Sequence, residues 1–447
     1  MNNRRNFLKQ ALNSATVMAL PLGSMGALAQ SMGDYRALVC VYLYGGNDSE
    51  NTIIPLTGTP TNHYGTMRVG GFDLRANANP IGTAYHSAYQ ETVAWGLHPS
   101  LTGIANLYNQ DKVAVMMNVG TLVQPLTLTE FRNAAPRPIN LFSHSDQQIQ
   151  SQTASPDVQV FTGWGGRIVD QLQSFNLNAN FPAGVSLGGN PIMLAGESYE
   201  AATLSPGYNL ALSGNYSTTV QNARNVAMRA LLERDTGKPL LNRANYKIVD
   251  AIEMGRAVDY ARSMSSPVMT SFPGTFLGAQ LREVAQLINM SSYLGVGRHV
   301  FFVALGGFDT HQAQLYQHAP LLTELNDAIV AFQSELETQG NAQRVTTFTM
   351  SDFGRTLRTN GSGGTDHAWG GHHFVIGGAV NGGFYGRPAV LLSDGPDSTD
   401  VRGRWIPTTG YDQYGATLAK WLGVSDSNLP AVFPNLPNFS NWNLGFV

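Results

Sequence analysis

The sequence has little of what marks a disulfide-rich, nucleic-acid-binding or membrane-spanning protein. Cys40 is the single cysteine, so no disulfide can form within the chain, and its place in the apolar run ALVCVYLY predicts a small buried side chain. Charged residues make up 13% of the chain, against roughly a quarter in an average domain. They nearly balance at a net charge of −3 with no basic run, which disfavours nucleic acid or an anionic membrane surface as a partner. After the first thirty residues no apolar run is long enough to span a bilayer.

The first residues have the features of an export signal. Arg4 and Arg5 open the stretch RRNFLK, and a short apolar run and an A-x-A cleavage motif follow. The arginine pair followed by Phe and Leu resembles a twin-arginine signal, with a general secretory signal or the basic start of a helix as the alternatives. We therefore expect a signal peptide over residues 1–29 that the twin-arginine translocase recognises. Residues 30–447 are expected to form one periplasmic or secreted domain.

Short apolar runs alternate with helical patterns along the chain. The runs rich in Val, Ile, Phe and Tyr predict buried strands at Ala37–Tyr44, Val113–Val119, His299–Leu305, Val345–Met350 and Phe374–Ile376. Helices are predicted from about Leu277 to Met290, from Pro320 to Gly340 and from about Tyr414 to Leu422. This rhythm predicts an α/β fold with a mainly parallel, doubly wound sheet and helices on both faces. In such sheets ligands bind beyond the carboxyl ends of the strands.

Acids and histidines follow three of the predicted strands at their carboxyl ends. Asp48 follows the first strand, Asp309 and His311 follow the third, and Asp352 follows the fourth. The glycine-rich loop GGTDHAWGGHH, which contains His367, comes shortly afterwards. Asp309 and His311 are two residues apart, so both can point to one ion, and a carboxylate with imidazoles suits Zn²⁺ or Mn²⁺. The sequence therefore predicts a divalent metal site from these five side chains.

A nucleophile and an anion-binding group are the other parts that ester hydrolysis needs. Ser143 precedes a predicted helix, where backbone N–H groups favour an anion, and it is the candidate nucleophile. Ser145 with Gln148 is typical of a capping box at the start of that helix. Arg355, on the same rim as the acids, is the candidate clamp for a substrate anion. His144 either orients the substrate or packs against the loop, and both possibilities stay open.

Several motifs together resemble a known family over nearly the whole chain after residue 30. They are YLYGGNDSENTIIPL, GLHPSL, TGWGGR, GGFDTHQ, SDFGRTLRTNGSGGTDHAWGGHHFVIGGAVNGG and TTGYDQYGATLAKWLGV. They resemble the bacterial domain-of-unknown-function family 1501, which is similar to the alkaline phosphatase–sulfatase superfamily. The resemblance implies a one- or two-metal site at the strand ends, with Ser143 near the nucleophile position. Asp309, His311 and His367 would match one metal position, Asp352 the second, and Asp48 the acid after the first strand.

The chain also departs from the superfamily pattern. Phe353 stands where alkaline phosphatases have a histidine, and SHSDQ lacks the proline and arginine of a formylglycine sulfatase signature. The resemblance therefore implies one firmly bound Zn²⁺ or Mn²⁺ and a second, weak position suited to Mg²⁺ or Ca²⁺. His372 or His373 could supply the missing ligand, although their place at the start of a strand favours a structural role for at least one of them.

Two functions from different classes fit these observations. The first is an exported metal-dependent hydrolase of phospho- or sulfo-esters that acts on a small ester or a polysaccharide-type substrate. The second is a non-catalytic secreted binding or assembly protein at the cell surface, which retains a remnant of the metal site. The intact set of acids and histidines favours the enzyme, whereas Phe353 favours the binding protein.

Overall fold

The computed structural model describes residues 35–207 and 219–447, so the predicted signal peptide lies outside the described residues. Two sheets organise this part of the chain. Their strands are β1 (Arg36–Leu43), β2 (Ile53–Pro55), β3 (Asn79–His86), β4 (Glu91–Leu97), β5 (Val113–Gly120), β6 (Gly184–Ser186), β7 (Ala202–Thr203), β8 (Arg298–Leu305), β9 (Val345–Ser351), β10 (Gly371–Ile376), β11 (Gly383–Tyr385) and β12 (Thr409–Gly410).

The large sheet has nine strands in the order β11-β5-β10-β9-β1-β8-β6-β7, with β12 beside β5. β1 runs parallel to both β8 and β9, and its last residue, Leu43, is in register with Leu305 and Ser351. Only β10 is antiparallel to its neighbours, so the loop that precedes β10 reaches the edge where the parallel strands end. The predicted mainly parallel α/β sheet is confirmed, and all five predicted strands are present.

Helices cover the large sheet. They are α1 (Ser49–Thr52), α2 (Gly58–Met67), α3 (Thr102–Tyr108), α4 (Leu128–Arg132), α5 (His144–Thr153), α6 (Trp164–Gln171), α7 (Thr219–Leu232), α8 (Pro239–Met264), α9 (Phe276–Asn289), α10 (Ser291–Leu294), α11 (Gln314–Thr338), α12 (Tyr411–Leu422) and α13 (Leu429–Val432). Every residue of β5, β8 and β9 is buried, because helices pack on both faces of these strands. The single cysteine, Cys40, is buried as predicted. None of the helices in the described ranges is long and apolar enough to cross a membrane.

The start of α11 differs from the prediction. The sequence places Pro320 in the first turn, but the helix begins at Gln314 and contains Pro320 in its interior. Gln314 and His318 are buried polar residues of the additional turns. The Gln314 amide contacts Asp48, and the His318 Nε2 lies 2.9 Å from the Asn47 Oδ1. These tertiary hydrogen bonds stabilise helical turns that the local apolar pattern does not predict.

A small antiparallel sheet, in the order β2-β4-β3, is a second difference from the predicted pattern. In Asn79–His86 only Ile81 and His86 are buried, and the buried strand Ile53–Pro55 has only three residues, so neither forms a long apolar run. These strands therefore lack the continuous apolar signal from which the other strands are predicted.

Candidate metal centre

Four side chains converge at the edge where β1, β8 and β9 end. The Asp309 Oδ1 lies 3.0 Å from the Nε2 of His311, 3.3 Å from that of His367 and 3.4 Å from that of His144. The Nε2 atoms of His311 and His367 are 2.8 Å apart. The Asp309 side chain is 47% exposed, so the cluster is open to solvent. The structure thus brings together three of the predicted metal ligands and adds His144, whose role the sequence left open.

Each imidazole of the cluster is oriented through its other ring nitrogen. The partners are Asp352 for His144 at 2.7 Å, Asp366 for His311 at 3.2 Å and the Phe142 carbonyl for His367 at 2.8 Å. A carboxylate or carbonyl oxygen can only accept, so in each pair the histidine Nδ1 donates. This tautomer leaves the Nε2 lone pair free, which is how metal-binding histidines are usually prepared.

The spacing of three of these side chains fits a metal ion, because the ligand atoms of His144, Asp309 and His367 all lie within 4.8 Å of one another. A tetrahedral Zn²⁺ with bonds of about 2.0–2.1 Å places its ligand atoms roughly 3.3 Å apart. The separations from Asp309 to the three histidines and from His311 to His367 range from 2.8 Å to 3.4 Å, so His311 lies close to two members of this group, Asp309 and His367. The His144 Nε2 is buried and makes no hydrogen bond, an arrangement that is costly unless an ion or another group satisfies it. Three imidazoles and one carboxylate suit Zn²⁺ or Mn²⁺, so these residues could hold either ion.

Arg355 lies beneath Asp309 and not on its open side. Its NH1 donates to the Asp309 Oδ1 at 3.1 Å and to the Gly45 carbonyl at 3.0 Å, and its other nitrogens donate to Thr365. Its side chain is 0% exposed. The guanidinium that the sequence predicted as a clamp for a substrate anion is thus directed at Asp309, Gly45 and Thr365 and is not exposed at the open side of the cluster. Burial raises the pKa of Asp309, but the hydrogen bond and charge of Arg355 outweigh it, so the pKa lies below its usual range.

Asp48 also has a different place from the predicted one. Its two carboxylate oxygens lie 2.6 Å and 2.7 Å from the guanidinium nitrogens of Arg68, and both side chains are fully buried. The carboxylate additionally accepts from the Asn51 N–H and thereby caps α1. Burial raises the pKa of Asp48, but the charge and hydrogen bonds of Arg68 outweigh this effect, so the pKa lies below its usual value. With both oxygens held by Arg68, Asp48 is engaged in a buried ion pair and does not join the cluster.

Asp352 contacts the cluster only through His144. Its Oδ2 accepts from His144, from the Gln148 amide at 2.8 Å and from the Gly45 N–H at 3.2 Å, whereas its Oδ1 is buried with no hydrogen-bond partner. Asp352, predicted as a metal ligand, therefore contacts His144 of the cluster instead of the position between the four side chains. The hydrogen bond and charge of Asp352 raise the pKa of His144, although burial opposes them.

Ser143 is the residue directly before α5. Its Oγ donates to the Asp146 Oδ2 at 2.6 Å and lies 2.9 Å from the Ser145 Oγ. The helix begins at His144, and no side chain hydrogen bond caps it, so the predicted capping box of Ser145 and Gln148 is wrong. Gln148 is unavailable for that role because its amide donates to the carboxylate of Asp352.

Phe353 packs against the cluster where the superfamily pattern has a histidine. Its ring centroid lies 4.8 Å from that of His144 and 4.7 Å from that of His367. The two histidines at the start of β10 are buried, and neither belongs to the cluster. The His372 Nδ1 accepts from the Asn118 N–H, and the His373 Nε2 lies 2.9 Å from the Tyr411 hydroxyl. Burial lowers the pKa of His372 to about 4 and that of His373 to about 3, so both are neutral at pH 7.

Three solved structures that resemble this chain are distant from it in sequence and in fold. The PsFucS1 sulfatase from Pseudoalteromonas sp. is 10% identical with a TM-score of 0.32, over 91% of this chain and 73% of that chain. A protein in the alkaline phosphatase superfamily from Vibrio parahaemolyticus is 10% identical with a TM-score of 0.33, over 88% and 67%. The C-terminal periplasmic domain of EcEptC from Escherichia coli, in complex with Zn, is 8% identical with a TM-score of 0.30, over 78% and 75%. At TM-scores this low, none of them supports a conclusion about activity.

Comparison by sequence identifies the family to which the chain belongs. None of the curated proteins matches the chain. One family model does, and it matches residues 35–388, which include all four members of the cluster. The chain therefore belongs to the DUF1501 family, a family described as proteins of unknown function.

Proposed function

We propose that this protein is an exported metal-dependent hydrolase of phospho- or sulfo-esters, with one Zn²⁺ or Mn²⁺ bound by His144, Asp309, His311 and His367. The observation that carries the proposal is the convergence of three oriented imidazoles and one carboxylate at an open edge of the sheet. A divalent ion in this place would act as a Lewis acid towards a phosphoryl or sulfuryl oxygen.

Ser143 remains the proposed nucleophile. It directly precedes the ligand His144 at the N-terminal end of α5, where helix N–H groups favour an anion. Its hydroxyl donates to Asp146 at 2.6 Å, and this carboxylate can take up the proton when the serine attacks. Hydrogen bonds from Asn140 and Ser143 lower the pKa of Asp146, so the carboxylate is ionised and able to accept at neutral pH.

A second metal position would be empty or weakly filled by Mg²⁺ or Ca²⁺. Asp48 is paired with Arg68, and one oxygen of Asp352 is engaged by His144. The Asp352 Oδ1 has no hydrogen-bond partner and is the one carboxylate oxygen of this pair that remains free. A single oxygen ligand does not hold such an ion firmly, because Ca²⁺ takes six to eight oxygens and Mg²⁺ keeps much of its water.

The experiment is elemental analysis of the purified protein together with hydrolysis of 4-nitrophenyl phosphate and 4-nitrophenyl sulfate. We expect one Zn²⁺ or Mn²⁺ per chain and metal-dependent hydrolysis of at least one ester. His367→Ala should lose both properties. His63→Ala is the matched control, because His63 lies on α2 and contacts Tyr89 instead of the cluster. A folded, metal-loaded protein that hydrolyses neither ester would contradict the proposal.

A non-catalytic binding or assembly protein is the second candidate. It is favoured by the number of protein donors in the cluster, because an ion bound by all four side chains would have no open position for substrate, as in structural zinc sites. In that case, removal of the metal would lower the melting temperature without any loss of turnover, since there would be none to lose. Asp309 is the ligand that separates the two candidates, because its exposed carboxylate must move for a substrate to enter.

Export is proposed on the paired arginines Arg4 and Arg5. Twin-arginine recognition needs both residues, so replacement of the pair by lysines should leave uncleaved precursor in the cytoplasm. Cell fractionation with immunoblotting measures this. Undiminished export of the variant would indicate a general secretory signal.

A further inference from the structure

A cleft of about 350 Å³ opens beside the candidate metal centre. It is lined by Gly307, Tyr316, Gln317, Pro320, Leu321 and Glu324. Gly307 is the second residue after β8, and one residue separates it from the cluster member Asp309. Their α-carbons are thus at most about 7 Å apart. The cleft has the volume of a small-molecule site, and its lining residue Gly307 is close in the chain to the cluster member Asp309.

Two glycines and a buried ring make up the chain from the end of β8 to Asp309. Gly306, which precedes the lining residue Gly307, is open on its side-chain side, because an added Cβ there would meet no atom within 4 Å. Gly307 has a φ of +102° and approaches the Leu321 side chain, a position that only glycine occupies without strain. The intervening Phe308 is fully buried and packs against His318, so its ring does not line the cleft.

The walls of the cleft combine an aromatic ring with polar and apolar groups. Tyr316 is 85% exposed, which is unusual for a large aromatic side chain with no partner on its outer face. Gln317 and Glu324 add an amide and a carboxylate, and the Glu324 carboxylate is fixed by the Leu277 N–H at 3.0 Å. Pro320 and Leu321 form the apolar part. A sugar ring matches this set, because its C–H face packs on an aromatic ring while its hydroxyls bond to amides and carboxylates.

The charge of the cleft lining favours the neutral part of an ester over its anionic part. Its lining contains one acid, Glu324, and no lysine or arginine, so it repels a phosphate or sulfate group. The cluster, in contrast, would offer the positive charge of a bound cation. The two neighbouring sites therefore suit the neutral and the anionic part of one molecule.

We propose that this cleft binds the alcohol part of the ester, a sugar ring or similar cyclic polyol that stacks on Tyr316, while the ester group lies at the metal centre. The role of the cleft in substrate binding rests on the proposed function, whereas its affinity for a neutral sugar does not. The substrate class is thus a sugar phosphate or sugar sulfate, either free or at the end of a polysaccharide.

The test is ligand-observed saturation-transfer NMR with the mature protein loaded with Zn²⁺. The probes are methyl glucoside, glucose 6-phosphate, glucose 6-sulfate and inorganic phosphate. We expect signals on the ring C–H protons of all three sugars, and an affinity roughly fivefold to tenfold weaker in Tyr316→Ala, the size of a lost aromatic contact. Tyr316→Phe should stay within about twofold because it keeps the ring. Tyr260→Ala, which removes a tyrosine 60% exposed on α8, is the matched control and should change nothing.

The outcomes separate this proposal from the proposed function. Inorganic phosphate should bind equally well to the wild type and Tyr316→Ala, because it reports on the metal centre alone. Sugar affinities that are the same in Tyr316→Ala and the wild type, or binding of 4-nitrophenyl phosphate with no binding of sugars, overturn the proposal for the cleft. Methyl glucoside binding that depends on Tyr316 supports the cleft even if no ester is hydrolysed, and in that case only the hydrolase proposal fails.

Discussion

Asp352 provides a sharp test of how the metal centre is held. Its buried carboxylate accepts from the His144 Nδ1 at 2.7 Å, and Gln148 and Gly45 donate to the same oxygen. This contact raises the pKa of His144, which makes the imidazole a better electron-pair donor. Asp352→Asn keeps the size and the hydrogen-bonding oxygen of the side chain but removes its charge. The substitution therefore isolates the electrostatic part of the contact.

The expected magnitude follows from the behaviour of such indirect contacts to metals. Loss of a partner that orients a ligand histidine weakens metal binding about 10- to 100-fold, or about 1.4–2.8 kcal/mol. Competition with a chromophoric chelator measures the Zn²⁺ dissociation constant, and elemental analysis gives the stoichiometry, which should stay at one ion. Asp397→Asn is the matched control, since Asp397 is a mostly buried carboxylate that pairs with Arg387 and not with a histidine of the cluster.

Two results would refute this reasoning. A Zn²⁺ affinity in Asp352→Asn equal to that of the wild type would show that the carboxylate does not tune His144. Two tightly bound ions in the wild type, of which the variant loses one, would show that Asp352 is itself a ligand, as the family resemblance implies. The control variant excludes a general effect of removing a buried negative charge.

The remaining predictions concern three other positions. His367→Ala should lower the metal content with little loss of fold. Asp366→Asn should lower the metal affinity less, because Asp366 acts only through His311. Elemental analysis that shows the reverse order would contradict the assignment. Phe353→His should raise hydrolysis of 4-nitrophenyl phosphate in Zn²⁺, since it adds a nitrogen donor beside the cluster, and an unchanged rate would count against a vacant second position. Burial raises the pKa of Glu50 from 4.5 to about 7. The protonated Glu50 side chain therefore contributes fully to the free energy of unfolding below pH 4.5, and this contribution is lost as the pH rises through 7. Glu50→Gln should flatten the free energy of denaturant unfolding over this pH range, and an unaltered pH profile would refute the assignment.

The fold and part of the site could be predicted because their signals are local. The apolar runs that form β1, β5, β8 and β9 are buried on both faces, so they are continuous in the sequence and easy to recognise. Parallel strands end at one edge, and this rule alone places Asp309, His311 and the loop of His367 together. The small sheet and the early start of α11 lack such local signals, because Asn79–His86 has only two buried residues and tertiary hydrogen bonds stabilise the first turns of α11.

By itself the sequence determined the α/β class, the edge that carries the site and three of its four converging side chains. Only the tertiary structure decided which polar residue has which partner. Asp48 meets the buried Arg68, Arg355 is enclosed beneath Asp309, and His144 is brought from a distant segment into the cluster. A buried charge must be paired, and its partner is chosen by packing between segments far apart in the chain. Residue type and spacing do not specify these partners. An acid that binds a metal and an acid that pairs with an arginine therefore cannot be distinguished in the sequence alone.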